Sequence, residues 1–310
     1  MKYYLAPLEG ITTYVYRNAY QKHFGRMDKY FTPFIVPHKE KRFNTRELKE
    51  LSVEHNDGLQ VVPQLLTNNA EDFLKTSAEI RAMGYDEINL NLGCPSRTVV
   101  SKNKGSGFLA FPDELERFLD AIFSKTQGQI SIKTRIGKES PDEFYRLLEI
   151  YNRYPVKELT IHPRIQTDYY KNVPNLEMFQ VAYEKSKNPV CYNGDIKSIK
   201  DLEVLKERFP NLEAVMIGRG MIQNPCMLTT PNKEQLYAFH QDVLDEYILI
   251  SSGERNVLFK MKELWSYMMP MFAESEKMMK KIKKCERLKD YENAIQTLFA
   301  SCDLREELHE

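Results

Sequence analysis

The chain has 310 residues, 42% of them apolar, a composition ordinary for a soluble globular protein. That length allows one barrel of about 250 residues, or a barrel with a small appendage. Its 44 basic and 44 acidic residues leave no net charge, which argues against a protein that coats nucleic acid non-specifically but leaves room for a local basic face.

Strand-like and helix-like segments alternate from the first residues. A strand over 3–6 stops at Pro7, and Thr12 or Thr13 caps a helix reaching His23. Strands are then expected over 29–36 and 60–66, the second followed by a helix over 70–83 that Gly84 ends. The run Asp86-Glu87-Ile88-Asn89-Leu90-Asn91-Leu92 alternates polar and apolar residues and reads as a fourth strand, its two asparagines on one face. A helix over 112–125 carries proline in its first turn. Further strands over 129–136, 157–162, 189–193 and 212–217 alternate with helices over 141–154, 176–186 and 198–208. Eight βα repeats in this order predict an α/β fold, a closed parallel (β/α)8 TIM barrel over residues 1–230. A doubly wound open sheet is the structural alternative, but its glycine-rich fingerprint belongs after the first strand, where this chain has Pro7-Leu8-Glu9-Gly10. Beyond that only helical periodicity remains. Residues 231–310 are expected to form a small helical domain with helices over 233–252, 257–269, 275–289 and 291–300.

The expected strand ends, from the third to the eighth, finish in polar residues: Gln64, then Asn91 and Cys94, then Lys133 and Arg135, then His162 and Arg164, then Asn193-Gly194-Asp195, then Gly218-Arg219-Gly220. A packed barrel interior has no use for unpartnered Lys, Arg and His, and the carboxyl ends of its strands are where this barrel class keeps its chemistry. One such residue is usually a solvated rim group; six ends in register point to a site. The last two ends bare backbone N–H groups beside Arg219, and residues 221–224 would start a short helix whose N-terminus attracts an anion. A phosphorylated ligand follows. FMN is favoured, although a sugar-phosphate substrate would use the same loops. Gln64 and Asn91 would then bond the flavin ring edge, and Lys133 would stabilise negative charge on the reduced ring.

Cys94 stands in Asn91-Leu92-Gly93-Cys94-Pro95, with Gly105-Ser106-Gly107 close behind. Most free cysteines are small buried apolar residues. Here Gly93 permits a sharp turn and Pro95 fixes the backbone beside the thiol, which favours a working role. The remaining cysteines, Cys191, Cys226, Cys285 and Cys302, form no Cys-x-x-Cys pair. No disulfide framework or metal site is therefore expected, and the reducing cytoplasm is the natural compartment. No apolar stretch is long enough for a membrane span, and the first residues lack a signal-peptide core.

In these motifs the chain resembles the tRNA-dihydrouridine synthases. Ala6-Pro7-Leu8 with Thr12, Pro63-Gln64-Leu65, Asn91-Leu92-Gly93-Cys94-Pro95, Gly105-Ser106-Gly107, Lys133-Thr134-Arg135, His162-Pro163-Arg164, Tyr192-Asn193-Gly194-Asp195 and Gly218-Arg219-Gly220 carry the likeness, in order along the chain. The resemblance implies an FMN barrel with a C-terminal helical domain, NADPH as reductant and a uridine of tRNA as substrate. It implies Cys94 as the catalytic acid and Pro7, Leu8, Gln64, Lys133, His162, Asn193, Gly194, Asp195, Gly218 and Arg219 around FMN. Asn91 and Arg164 would lie near the uracil, and Arg135 joins them as a substrate-binding candidate. Two departures are visible: 97–104 is long before the glycine-rich stretch, and Pro163 and Ile165 stand where the family often has a small residue and a threonine. The chemistry agrees with the resemblance. Reducing the C5–C6 bond of uracil needs a hydride at C6, which FMN supplies, and a proton at C5. A thiol with an ordinary pKa of about 8.5 is mostly protonated at neutral pH and suits that second role. The competing readings are an FMN-dependent oxidoreductase of a small pyrimidine-like molecule and a non-enzymatic RNA-binding module.

A uracil within folded tRNA must be turned out of its stack to reach a barrel mouth. Two basic segments are candidates for holding the RNA. One is 38–42 with Arg46; the other is Lys277, Lys280, Lys281, Lys284 and Arg287, a stripe opposite Met278, Ile282, Cys285 and Leu288 on an expected helix. Lys277, Lys281 and Lys284 are the substrate-binding candidates of that stripe, although an ordinary solvated face fits the charge pattern as well. Tyr169 and Tyr170 either stack on a base at the mouth or pack in the core, and Trp265 is expected in the core of the helical domain. The sequence leaves the oligomeric state open, with a monomer favoured.

Overall fold

The computed structural model describes residues 1–25, 27–38 and 43–305. Nine parallel strands form one sheet: β1 Lys2–Leu5, β2 Lys29–Phe31, β3 Val61–Val62, β4 Gln64–Leu65, β5 Glu87–Leu92, β6 Gln129–Arg135, β7 Leu159–His162, β8 Val190–Tyr192 and β9 Ala214–Ile217. Their order is β3-β2-β1-β9-β8-β7-β6-β5-β4. The two ends of that ribbon, β3 and β4, are one stretch of chain interrupted at Pro63. Proline brings no N–H to a ladder, yet its carbonyl still accepts from Asn89 N at 2.8 Å. The halves pair with β2 on one side and β5 on the other, so the ribbon curls into a nearly closed barrel of eight-fold plan, as expected. The second strand is shorter than expected. It ends at Phe31, and beyond Pro33 only a bridge between Ile35 and Leu65 remains.

Register decides what faces inward, because paired residues in a parallel ladder point to the same side. Gln64 pairs with Asn89 and Asn89 with Ser131; Asn91 pairs with Lys133, Lys133 with Thr160, and Thr160 with Cys191. The set continues through Ala214, Lys2, Tyr4 and Lys29. An apolar layer of Tyr4, Ala6, Phe31, Val62, Cys191, Ala214 and Met216 fills the middle of the interior. The alternate residues, among them Leu90, Leu92, Ile132, Leu159, Ile161 and Ile217, are fully buried on the other side.

By their internal contacts the residues fall into two compact units. The first comprises 1–7, 28–195 and 206–217, and holds the whole sheet with helices Ala70–Arg81, Pro112–Phe123, Glu143–Tyr151 and Leu176–Lys185. It also holds a helix not foreseen from the sequence, Thr45–Leu51, closed by a capping box in which Asn44 and Glu47 accept each other's backbone N–H at 2.9 Å. Residues 39–42, most of the first basic segment, lie outside the described residues.

The second unit comprises 8–27, 196–205 and 218–310. Its helix Tyr14–His23 packs on Lys233–Ile250, with Lys22 and His23 on Asp242 at 2.6 and 2.7 Å and Tyr16 edge-on to Phe239. Trp265 is fully buried, as expected, and donates to the Tyr291 hydroxyl at 2.8 Å. His240 meets the same hydroxyl at 2.7 Å, and burial pulls its pKa down to about 4. The basic stretch is not one helix over 275–289. Glu276–Lys284 ends where Cys285 turns extended, and Leu288–Ser301 starts anew. Lys277, Lys280, Lys281, Lys284 and Arg287 are exposed, whereas Ile282 and Cys285 are buried. Among the described residues no helix is long and apolar enough to cross a membrane.

Candidate active site

At the carboxyl end of the first unit's barrel the inward amides satisfy one another. Gln64 Nε2 donates to Asn89 Oδ1 at 2.8 Å, Asn91 Nδ2 to Gln64 Oε1 at 2.7 Å, and Asn89 Nδ2 to Ser131 Oγ at 2.9 Å. Asn91 Oδ1 then accepts from the backbone N–H groups of Gly93 and Cys94 at 3.0 and 2.9 Å. One buried amide thus fixes both the strand end and the turn that follows. Cys94 is left half-buried at the rim, while the other four cysteines are buried. Its carbonyl accepts from Ser106 N at 3.1 Å and Ser106 Oγ at 2.9 Å. Gly105, at φ +57°, presses so close that a Cβ would stand 2.7 Å from the Cys94 carbonyl oxygen. The glycine-rich stretch is therefore a backstop for the thiol.

Lys133 comes from the neighbouring strand in register with Asn91. It lies deep in the barrel, although water still reaches the side chain. No hydrogen bond or ion pair joins its ammonium to any described residue. Burial, then the nearby Arg135, pulls its pKa down to about 8.

Two buried arginines frame the mouth. Arg135 donates from Nε to Gly93 O at 3.0 Å, from Nη1 to Ile165 O at 2.9 Å and from Nη2 to Tyr169 O at 2.7 Å. It braces the loop after β5 against the loop after β7 and lies 5.4 Å from the Tyr170 ring centre. Arg164 holds Asp195 in a fork at 3.0 and 2.5 Å and donates to Asn172 O at 2.5 Å. It also approaches His162 Nε2 at 2.9 Å, where the nitrogen must accept because guanidinium has only donors. Tyr169, held by its carbonyl, takes a positive φ of 51° that is rare for a residue with a side chain. Tyr169 and Tyr170 are exposed rather than packed in the core.

Asn193 Nδ2 donates to Met216 O at 2.8 Å. Gly194 is demanded by packing, since a Cβ there would stand 2.0 Å from the Tyr192 hydroxyl. Pro7, half-buried, completes the candidates of the first unit. Leu8, Gly218 and Arg219 belong to the second. Leu8 N donates to Thr12 Oγ1 at 2.7 Å. The short helix expected to start at 221–224 is Arg219–Gln223, two residues earlier, and a Cβ on Gly220 would stand 1.9 Å from Ile196 O. Lys277, Lys281 and Lys284 line an exposed helix face in that same unit. Sequence reasoning passed over Ser131, Ser106 and Asn172 as site partners. Only Ser106 had a signal, its place between two glycines. Among the described residues no group of His, Cys, Asp and Glu side chains is placed to hold a metal ion.

A family model described as dihydrouridine synthase (Dus) matches residues 4–308. The chain is 29% identical over 272 residues to a Staphylococcus aureus (strain COL) protein named probable tRNA-dihydrouridine synthase, covering 84% of this chain and 80% of that protein. It is 28% identical over 261 residues to the Bacillus subtilis (strain 168) protein named probable tRNA-dihydrouridine synthase 2, covering 78% of each. Among solved structures, histamine dehydrogenase from Rhizobium sp. 4-9 superposes with a TM-score of 0.54 at 11% identity, over 87% of this chain and 51% of that one, a likeness of fold alone.

Proposed function

The chain belongs to the dihydrouridine synthase family, and from that premise we propose that it reduces the C5–C6 bond of a uridine in tRNA, with FMN as its flavin and NADPH as the reductant. The observation that carries the reading is the thiol of Cys94, held half-buried at the barrel rim by Asn91 and Ser106. The residues present fit the flavin. A lysine kept deep in a barrel with no counter-charge among the described residues suits a ligand that becomes anionic on reduction.

When bound, FMN supplies the hydride that goes to C6 of the uracil. The proton for C5 comes from Cys94 Sγ. Asn91 sets the position of that sulfur through the turn, and Arg135 holds the same turn from its other side through Gly93 O. Gln64, Lys133, His162, Asn193, Gly194 and Asp195, with Pro7, are the flavin ligands of this reading. Leu8, Gly218 and Arg219 keep their place in it on the sequence motif alone. Asn91, Arg135 and Arg164 shape the substrate end of the mouth. Lys277, Lys281 and Lys284 offer positive charge to tRNA from the helical part, and the work is done in the cytoplasm by a monomer.

The test is tRNA-dependent NADPH oxidation by the purified protein, with dihydrouridine mapped in tRNA from cells lacking it. The expected result is one or more uridines left unreduced in those cells. A protein that oxidises NADPH with a free pyrimidine while every dihydrouridine persists in the deletion strain would transfer the assignment to a small-molecule oxidoreductase.

A further inference from the structure

We propose that the loop after β5 grips the sugar–phosphate backbone beside the target nucleotide through Arg97, Lys102 and Lys104, so that one rigid segment both holds the RNA and carries Cys94. The proposal rests on the tRNA reading above. Between Cys94 and Gly105 the chain has three cations and no acid. Arg97 and Lys102 are exposed, Lys104 is half-buried, and none of the three forms an ion pair with a described residue. Burial lowers the pKa of Lys104 against the opposing pull of the Asp72 carboxylate. Two other cations of the same unit are compensated: Lys138 pairs with Glu139 at 3.2 Å, and Arg146 with Glu116 at 3.0 Å.

A merely solvated charge run would not need the anchoring seen here. Residues Arg97–Val100 close a helical turn over the buried Val99. Asn68 Nδ2 then donates to Lys102 O and Asn103 O at 3.2 and 3.1 Å. Asn103 takes a left-handed φ of 52°, and Gly105 follows at +57°, wedged against Cys94. The backbone that carries the three cations is therefore anchored beside Cys94. Ser96 and Thr98, joined by their hydroxyls at 3.0 Å, add exposed polar groups to the same surface. Side chains that only donate, carried on an anchored backbone with no acid among them, match the oxygens of a phosphodiester.

The test compares Arg97→Gln/Lys102→Gln and Lys104→Gln with Lys138→Gln, a control at a compensated cation. tRNA affinity is measured by filter binding across a salt series, alongside KM for tRNA and for NADPH. The double variant should flatten the plot of log affinity against log salt by ~1.5 to 2, the loss of two phosphate contacts, and raise KM for tRNA about tenfold. The Lys104 variant should remove about half as much slope, and the Lys138 variant none. Unchanged affinity and slope in the double variant would overturn the proposal. So would a raised KM for NADPH with tRNA affinity intact, which would give the loop to the phosphates of the reductant. Failure of the underlying reading looks different: the unaltered protein itself would neither bind tRNA nor form dihydrouridine, and both ideas would fall together.

Discussion

The two ends of the barrel interior each hold a lysine, and they treat it in opposite ways. At the amino end, Lys29 lies 2.9 Å from Glu87 and 3.9 Å from Glu158, and the Tyr4 hydroxyl donates to Glu158 at 2.8 Å. The Lys29 ammonium also stands 5.1 Å from the Tyr4 ring centre. Burial raises the pKa of Glu158 and sends that of Tyr4 far above its ordinary range. At the carboxyl end, Lys133 has no counter-charge among the described residues, and burial lowers its pKa instead. An apolar layer separates the two. A buried charge with partners serves the fold; one held without them is a liability that persists when a ligand will answer it.

The largest effect is expected from breaking the paired end. Lys29→Met would leave the half-buried Glu87 and the buried Glu158 without the cation that pairs with both. Urea unfolding at pH 7 should show a loss of about 3 kcal/mol. The loss should shrink in acid, as the carboxyl of Glu158, already raised by burial, takes up a proton. A variant as stable as its parent would mean that the amino end does not depend on its pairing.

The open end should respond in rate rather than in stability. Cys94→Ala should lower dihydrouridine formation by about a hundredfold or more, the contribution expected of a positioned proton donor. The half-buried side chain is not part of the buried apolar core, so the unfolding free energy should move by no more than about 0.5 kcal/mol. Undiminished dihydrouridine formation would remove the acid role of Cys94.

This division between the ends was only half legible in the sequence. The inward placement of Asn89 and Asn91 could be read, because a period of two assigns residues to faces. So could the polar strand ends that gather at the mouth. What those groups bond to could not. The fork from Arg164 to Asp195 spans 31 residues, and the brace from Arg135 to Gly93 spans 42; no local pattern encodes either. The amino-end network escaped notice for the same reason, since Lys29, Glu87 and Glu158 each look like ordinary surface charges. Local signals were missed too. Asn44 and Glu47 spell a capping box, but the seven-residue helix behind it has little periodicity to confirm it. The helix break at Cys285 has neither glycine nor proline to mark it. Pro63 was visible, yet whether a proline ends a strand or only divides it depends on the neighbours that use its carbonyl.

Lys133→Met gives the smallest effect and the sharpest contrast, because its sign is opposite to that of Lys29→Met. Burial lowers the pKa of Lys133 from the usual 10.5 to about 8. Below pH 8 the folded and unfolded chains both carry the proton, and the folded state bears the full desolvation penalty. Between about 8 and 10.5 only the unfolded chain keeps it, so the native state gains stability as pH rises through that window. Removing the charge should therefore stabilise the ligand-free protein at pH 7. A gain of ~1 kcal/mol is expected, discounted from the full linkage value because water still reaches the side chain. The gap between variant and parent should narrow as pH climbs towards 10.5, while dihydrouridine formation by the variant falls. A variant less stable than its parent at pH 7 would mean that the fold itself relies on Lys133, and the distinction between the two ends would then be lost.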